Sequence, residues 1–235
     1  KPHLDMAAPI MKSVPESAGG KQVLEHCSGR IEMDNVTFRY AEGAPAVLDD
    51  LSLKIRPGQS VGVVGKTGCG KSTLMRLLLG FEKPQKGAVL YDGRDIETLD
   101  VASLRRNIGT VLQDGKLFTG DIFSNIVVAA PWLTMEDAWE AAELAGIADD
   151  IRAMPMGMNT MVSEGAGGIS GGQRQRILIA RAVAPKPKVL FFDEATSALD
   201  NVTQRQVSEA LDRMKCTRII VAHRLSTIRA CDRII

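Results

Sequence analysis

Apolar and polar positions form two kinds of block along this chain. Three short runs near the start are rich in β-branched residues and are separated by turn residues such as Pro57-Gly58, which predicts strands. Further along, runs with apolar residues at helical spacing alternate with short, continuously apolar runs typical of buried strands. The predicted strands are 31–40, 51–55, 60–64, 108–112, 188–192 and 218–222, and the predicted helices are 71–79, 134–145, 171–183 and 202–214. Strands and helices in alternation predict an α/β fold with a mainly parallel sheet wrapped by helices.

Two segments depart from this alternation. Residues 121 to about 161 are almost wholly helical in pattern, and with the helix after them they predict a helical subdomain over about 121–183. Residues 1–29 are rich in Pro, Gly, Ser and Lys, which is typical of a linker or tail, so we expect them to lie outside the core. The chain begins at Lys1 and stops on an apolar run that resembles an unfinished strand. We therefore expect an excised domain of a longer polypeptide, with the folded domain over 30–235.

Composition narrows the classes of function. The chain has 235 residues, 45% of them apolar, and 29 basic against 28 acidic residues, so neither a nucleic acid nor an anionic membrane surface is the expected partner. No apolar run is long enough to cross a bilayer, so we expect no direct membrane insertion of this segment. Its four cysteines lack metal-site or disulfide-framework spacing; they are Cys27, Cys69, Cys216 and Cys231.

A phosphate-binding pattern follows the third predicted strand and opens a helix. It has the form G-x-x-x-x-G-K-[ST], and its residues are Gly65, Lys66, Thr67, Gly68, Cys69, Gly70, Lys71, Ser72 and Thr73. Glycines let backbone N–H groups turn towards a phosphate, and the helix N-terminus adds positive potential. Lys71 is suited to the β and γ phosphates, and the hydroxyl of Ser72 to a Mg²⁺ ion. The sequence therefore predicts ATP binding with Mg²⁺.

Two carboxylates emerge together where a buried strand ends. Asp193 and Glu194 follow the apolar run 188–192, and ligands of open α/β sheets bind at the carboxyl ends of the strands. Asp193 suits a direct or water-mediated Mg²⁺ role. Glu194 is placed to orient or deprotonate the water that attacks the γ-phosphate.

A third pattern carries a family resemblance. The run Ser170-Gly171-Gly172-Gln173, about a hundred residues after the phosphate pattern, resembles the signature of ABC ATPases, with Ile169 in the usual place of Leu. Ser170 can cap the helix that follows, and the two glycines expose N–H groups, which makes a second anion site. The resemblance implies a P-loop NTPase core with an antiparallel β subdomain and an α-helical subdomain. It also implies a head-to-tail homodimer in which Ser170–Gln173 cover the ATP of the partner.

The same resemblance assigns roles to four further residues. Tyr40 is similar to the aromatic residue that stacks on adenine. Gln113 resembles the glutamine that senses Mg²⁺ and the attacking water. Asp200, in Ser197-Ala198-Leu199-Asp200, resembles the loop that crosses between subunits, and His223 resembles the histidine that contacts the γ-phosphate.

Finer features resemble exporters within the family. Ala195 stands where importers usually have Pro, and the runs 117–126 and 222–227 are similar to exporter segments; Glu164 resembles the glutamate of a cross-linking loop, although Ala166 replaces its usual Gly. This implies a transmembrane domain ahead of the linker and a location at the cytoplasmic side of the inner membrane. The runs 138–142, 148–151, 153–158 and 162–165 resemble ATPase subunits of exporters for bacteriocin-like peptides with nitrile-hydratase-like leaders. Lipid or small-molecule cargo, a soluble ABC ATPase and a nucleotide-sensing module are the alternatives.

Overall fold

The chain folds around two main β-sheets, described in a computed structural model for residues 20–162, 168–193, 199–221, 228–229 and 231–235, the side chain of residue 201 excepted. The strands are β1 (Ile31–Phe38), β2 (Leu48–Ile55), β3 (Ser60–Val63), β4 (Lys86–Tyr91), β5 (Arg94–Asp95), β6 (Ile108–Val111), β7 (Gly120–Asp121), β8 (Met161–Val162), β9 (Val189–Asp193), β10 (Thr217–Val221) and β11 (Arg233–Ile234). The helices are α1 (Lys71–Leu78), α2 (Val101–Arg105), α3 (Ile122–Val127), α4 (Met135–Leu144), α5 (Ala148–Ala153), α6 (Gly171–Val183) and α7 (Asn201–Arg213), with 3₁₀ turns at Ile96–Thr98 and Gly157–Asn159.

The parallel sheet has the strand order β11-β3-β10-β9-β6. Its register aligns Val63 of β3 with Val221 of β10, and Val221 with Asp193 of β9. Val111, the last residue of β6, pairs with Phe192. Strands β3, β10, β9 and β6 therefore end together at one edge of the sheet, which is where ligands of such sheets bind.

The second sheet is antiparallel, with the order β2-β1-β4-β5. It packs against α1 and one face of the parallel sheet in a single hydrophobic cluster that includes Ile31, Leu77, Val89 and Phe191. The antiparallel β subdomain expected from the family resemblance is therefore present. Strands β4 and β5 were not predicted, because the segment 86–95 mixes charged residues with Gly87 and Gly93 and shows no clear period of two.

Helices α3 to α6 pack together and against β6 and β9 in a second cluster, in which Ile122, Ile147, Ile177 and Phe192 are buried. The predicted helix over 171–183 coincides with α6. The segment 121–161 is less uniformly helical than predicted. Strand β7 at its start pairs with β8 at its end in a small two-stranded sheet. A two-residue strand is too short to show an alternation of apolar and polar residues in the sequence. Across the described ranges, none of the helices has the length and apolar character needed to traverse a bilayer.

Residues 20–29 differ from the expectation of a tail outside the core. Leu24 and Cys27 are 3% and 7% exposed and belong to the cluster of the antiparallel sheet. The backbone N–H of Leu24 donates to Ser103 Oγ at 3.0 Å, and Thr217 Oγ1 donates to the carbonyl oxygen of Gly29 at 2.7 Å. This packing could not be predicted from the sequence, because two apolar side chains among polar and glycine residues form no periodic pattern.

Candidate nucleotide-binding site

The phosphate pattern forms a loop from β3 to the start of α1, which we call the phosphate cradle (residues 65–73). Residues 64–69 and Ser72 are exposed, so the loop faces solvent. Gly70 is the N-cap of α1 in a left-handed conformation, with φ of 101°, and no side chain caps the helix. The first N–H groups of α1 thus lack a side-chain acceptor, and an uncapped helix N-terminus is suited to a phosphate.

Lys71 spans the cradle. Its Nζ donates to the carbonyl oxygens of Gly65 at 2.8 Å and Lys66 at 3.0 Å, which brings the ammonium group back over the start of the loop. A Cβ on Gly65 would overlap Cys69 Sγ, so a larger residue there would displace the Cys69 side chain. The ammonium group therefore lies on the side of the loop where we expect the β- and γ-phosphates to bind.

Tyr40 flanks the cradle. Its Oη lies 3.0 Å from Thr73 Oγ1, in the first turn of α1, while its side chain is 57% exposed and its ring packs edge-on against Phe38 at 4.9 Å. One face of an aromatic ring is thus held beside the phosphate site, as a base-stacking residue requires.

The edge where the parallel strands end carries the predicted hydrolytic residues. Asp193 ends β9 in register with Val221, which is in register with Val63, the last residue of β3. Gln113 is exposed two residues beyond the end of β6. Asp193 and Gln113 therefore follow strands that end at the same edge as the cradle.

Several predicted residues lie outside the described part of the chain. Glu194 and His223, predicted to be catalytic, are among them, as are Ser197, Ala198, Ala195, Glu164 and Ala166. Their roles stay predictions. Strands β9 and β10, after which Glu194 and His223 come in sequence, do end at the edge that carries the cradle.

The oxygens available near the cradle suit Mg²⁺. Ser72 offers an exposed hydroxyl, Asp193 a carboxylate and Gln113 an amide oxygen, and hard cations prefer such ligands. Within the described residues, no group of three or more His, Cys, Asp or Glu could hold a metal by itself. Mg²⁺ that binds together with a nucleotide usually takes phosphate oxygens and water among its ligands.

The turn Ser170–Gln173, called here the signature turn, opens α6 with a complete capping box. Ser170 Oγ accepts from the N–H of Gln173 at 3.2 Å, and Gln173 Oε1 accepts from the N–H of Ser170 at 2.9 Å. Ser170 and Gly171 are exposed, and space around Gly171 is open. The predicted cap is confirmed, and the contacts of this turn lie within the helical subdomain.

An acidic residue behind the signature turn was missed by the sequence analysis. Asp150 of α5 accepts from Gln173 Nε2 at 2.8 Å and pairs with Arg176 at 2.7 Å. Burial alone would raise the pKa of Asp150, but the hydrogen bonds from Gln173 and Arg176 and the charge of Arg176 lower this pKa below its ordinary value. Asp150 therefore anchors the signature turn to α5. The sequence could not predict this contact, because α5 and the start of α6 are distant along the chain and no local pattern connects them.

Asp200 caps α7. Its Oδ1 accepts from the N–H groups of Val202 and Thr203, both at 2.9 Å, and Thr203 Oγ1 donates to its Oδ2 at 2.7 Å. The hydrogen bonds from the Thr203 backbone and hydroxyl, with that from the Val202 backbone, lower the pKa of this carboxyl. The proposed crossing between subunits stays a prediction, and within one chain the residue fixes the start of a helix.

Comparisons with known proteins point to one family. The family model described as ABC transporter matches residues 48–197. The alpha-hemolysin translocation ATP-binding protein HlyB of Escherichia coli O157:H7 is 45% identical over 228 residues, which cover 96% of this chain and 32% of that protein. The leukotoxin translocation ATP-binding protein LktB of Mannheimia haemolytica is 45% identical over 229 residues, with the same coverage of both. The chain thus spans about a third of the length of the curated relatives it matches.

A solved structure extends the likeness to three dimensions. A bacterial Atm1-family ABC exporter with ATP bound superimposes with a TM-score of 0.89 and is 36% identical in sequence. The superposition covers 99% of this chain and 41% of that chain.

Proposed function

Because the chain belongs to the ABC transporter family, as an ATP-binding domain, we propose that it is the motor of an exporter that binds Mg-ATP, closes as a head-to-tail homodimer and hydrolyses the nucleotide. The observation that carries this proposal is the uncapped N-terminus of α1, with Lys71 folded over the loop and Tyr40 beside it. These groups provide an anion site and an aromatic face for one ligand, and a nucleoside triphosphate needs both.

Each part of the nucleotide has its own residues in this scheme. The backbone of residues 65–70 and the first turn of α1 hold the phosphates, Lys71 neutralises the β and γ oxygens, and Tyr40 stacks on the base. Ser72, Gln113 and Asp193 would hold Mg²⁺, which when bound would neutralise charge on the phosphates and orient them.

Hydrolysis depends on residues that follow β6, β9 and β10 in sequence. Glu194 orients or deprotonates the attacking water, Gln113 contacts that water and the metal, and His223 contacts the γ-phosphate. Positioning and electrostatic stabilisation supply most of the catalysis in phosphoryl transfer, so these groups need to converge on the γ-phosphate only when the site is closed.

The partner chain closes the site. The exposed signature turn offers N–H groups of α6 and the Ser170 hydroxyl, which in a head-to-tail dimer cover the γ-phosphate bound by the other chain. ATP then forms part of the interface, and hydrolysis weakens it. Asp200, at the start of α7, lies beside the same interface in this proposal. Opening and closing move a transmembrane domain at the cytoplasmic side of the inner membrane by shifting populations between two states.

We further propose a polypeptide cargo, exported by a longer protein of which this chain is the ATPase part. The relatives at 45% identity are named as translocation ATP-binding proteins for alpha-hemolysin and leukotoxin, which favours a peptide or protein over a lipid or small molecule. The bacteriocin-like peptides suggested by the sequence of the helical subdomain fall in this class. Stimulation of the ATPase of the full-length transporter by a leader-bearing peptide, and not by lipid, tests the cargo.

The central test is the variant Glu194→Gln. Without the catalytic carboxylate, ATP should stay bound and the chain should elute as a dimer in size exclusion with Mg-ATP, with phosphate release reduced at least about a hundredfold. The companion variant Glu194→Gln, Ser170→Arg should bind ATP and remain monomeric, because a bulky charge blocks the signature turn. A monomeric Glu194→Gln variant that nevertheless retains ATP would refute the head-to-tail motor and leave a nucleotide-sensing module.

A further inference from the structure

Residues 20–29, called here the strap, join the parallel sheet at the edge opposite the phosphate cradle. The carbonyl oxygen of Gly29 accepts from Thr217 Oγ1 at 2.7 Å. Thr217 is the first residue of β10 and is completely buried, and its Oγ1 also accepts from the N–H of Gly58 at 3.0 Å. Strand β10 ends at Val221, at the edge that carries the cradle. The strap is therefore bonded to the start of a strand whose end lies at the nucleotide site.

One carboxylate fastens the same end of the strap to the antiparallel sheet. Asp92, in the turn between β4 and β5, accepts at Oδ2 from the N–H of Ser28 at 2.7 Å. Its Oδ1 accepts from the Ser28 hydroxyl and from the N–H of Arg30 at 3.2 Å. The N–H of Asp92 in turn donates to the carbonyl oxygen of Arg30 at 3.0 Å. Hydrogen bonds to a charged acceptor are stronger than neutral ones, so Asp92 is the main polar clamp on the strap.

The first half of the strap lies beside the 3₁₀ turn and α2. The N–H of Gln22 donates to the carbonyl oxygen of Thr98 at 2.9 Å, and the carbonyl oxygen of Gln22 accepts from the N–H of Asp100 at 2.7 Å. Leu24 is 3% exposed, and its N–H donates to the buried hydroxyl of Ser103 at 3.0 Å. The strap is therefore bonded to the domain at both ends and buries apolar side chains between them.

These contacts remove the slack that a linker would have. If the residues from Gln22 to Gly29 were a free chain, they would reach up to about 29 Å, with an average end-to-end distance of roughly 15 Å. A chain with that reach would absorb a displacement of the domain before the displacement reached the segment ahead of it. The docked strap has no such reserve, so the preceding segment is in effect attached to the domain at Gln22.

We propose that the strap is a tether that carries displacement of the ATPase domain to the part of the longer protein that precedes it. The inference rests on the proposed function, because it gives the strap a task in an exporter. Strand β10 spans about 13 Å from Thr217 to Val221. Close-packed, hydrogen-bonded elements transmit strain, so movement at the cradle edge reaches the strap through one continuous sheet.

The first experiment loosens the strap in the isolated chain. Asp92→Asn keeps the shape of the side chain and tolerates the φ of 51°, but it leaves one acceptor oxygen and places an N–H₂ group in the clamp. Cys27, 7% exposed in the docked strap, reports the release. Its labelling by a thiol reagent, located by peptide mass spectrometry, should be about tenfold faster or more. An unchanged rate at Cys27 would show that Asp92 does not hold the strap and would overturn the proposal.

Cys216 is the internal reference in the same sample. It is 4% exposed and belongs to the cluster of the helical subdomain, so its labelling should stay at the parent's rate unless the whole domain opens. A second variant, Leu24→Ala, removes a buried contact of the strap without touching the clamp. It supplies the same test if Asp92→Asn accelerates labelling at both cysteines. The affinity for Mg-ATP should change less than about twofold in a variant that releases only Cys27, because the cradle is intact.

The second experiment measures the consequence in the full-length transporter, reconstituted in proteoliposomes. ATP hydrolysis and uptake of a fluorescently labelled leader-bearing peptide are followed together. With the strap released, the amount of peptide taken up per ATP hydrolysed should fall about fivefold or more, the lower end of typical couplings between sites. A merely structural strap would lower hydrolysis and uptake in proportion. A ratio equal to the parent's would therefore overturn the tether.

The matched control is Asp49→Asn, at an exposed carboxylate on β2 of the same sheet. It should change neither the labelling of Cys27 nor the ratio of uptake to hydrolysis. A parent transporter that hydrolyses ATP without taking up the peptide would contradict the proposed function, and the tether would fall with it. Normal uptake by the parent, with the parent's ratio kept in both strap variants, would leave the proposed function intact and overturn the tether alone.

Discussion

Tyr40 Oη lies 3.0 Å from Thr73 Oγ1, so the exposed aromatic ring before β2 is tied to the first turn of the helix that opens the phosphate cradle. Base–aromatic stacking contributes about 1 to 3 kcal/mol, so Tyr40→Ala should weaken ATP binding roughly 5- to 100-fold. Tyr40→Phe keeps the ring and should change the affinity less than about threefold. Titration with a fluorescent ATP analogue measures both.

The other tyrosine provides the control. Tyr91 is fully buried, and its hydroxyl donates to the carbonyl oxygen of Leu78 at 2.7 Å. Tyr91→Phe should lower the free energy of unfolding by about 1 to 2 kcal/mol without changing ATP affinity. Equal ATP affinities for Tyr40→Ala and the parent would mean that the base binds elsewhere.

Lys71→Ala should weaken ATP binding about 10- to 100-fold, since a hydrogen bond to a charged group contributes about 1.5 to 3 kcal/mol. In the free chain Lys71 Nζ binds two backbone carbonyl oxygens of the loop, so its removal should also lower the thermal midpoint slightly. Isothermal titration measures the affinity. Lys83→Ala, at an exposed lysine paired with Glu97, is the control and should bind ATP normally. An unchanged affinity for Lys71→Ala would show that the cradle has been assigned to the wrong residues.

Local patterns in the sequence were sufficient to predict the cradle, the signature helix and the family. The predicted ABC ATPase fold and exporter likeness are confirmed by the family match, the relatives and the superposition. The phosphate pattern combines glycines that shape the backbone with a lysine and a serine whose side chains suit phosphate and Mg²⁺, all at fixed spacings, so it can be recognised from the local sequence. The capping box at Ser170 and Gln173 is likewise local, which is why the predicted and observed bounds of α6 agree.

Contacts between distant segments were not predictable in this way. The side chain of Gln173 reaches both Ser170 and Asp150, and Arg181 reaches Lys116 and Asn125, 65 and 56 residues away. Nothing in the periodicity of either helix marks these partners. The assignment of bacteriocin-like peptides with nitrile-hydratase-like leaders as the cargo stays a prediction. The roles of Glu194 and His223 also stay predictions, because both residues lie outside the described part of the chain.

Asp150 makes the signature turn sensitive to acid. Hydrogen bonds and the charge of Arg176 hold the pKa of Asp150 below its ordinary value, so the ionised form stabilises the folded chain above the unfolded pKa of about 4. That stabilisation should be lost as the pH falls through the lowered pKa. Asp150→Asn should therefore lower the thermal midpoint at pH 7, and the gap to the parent should shrink below about pH 4.

Thermal unfolding followed by circular dichroism between pH 7 and about pH 3 measures this gap. Asp149→Asn is the matched control, because Asp149 is the neighbouring carboxylate on α5 and its side chain is 98% exposed. The thermal midpoint of Asp149→Asn should stay close to that of the parent at every pH. A gap for Asp150→Asn that stays constant across this range would exclude an ionised carboxylate as the anchor of the signature turn.

Gly29 joins residues 20–29 to the parallel sheet, and its substitution should destabilise the domain although it lies in the segment expected to be a linker. At φ of +88°, a Cβ there would lie 2.6 Å from Thr217 Oγ1 and 2.9 Å from the carbonyl oxygen of Lys188. Gly29→Ala should cost roughly 2 kcal/mol or more, combining backbone strain with the clash. Gly93→Ala is the control, since its φ is +78° and nothing lies within 4 Å of its Cβ, so only strain of about 1 kcal/mol remains. Urea unfolding gives both values. Similar midpoints for the two variants would mean that the segment before β1 is not part of the folded unit, whereas a larger loss for Gly29→Ala establishes it as a structural part of the ATPase.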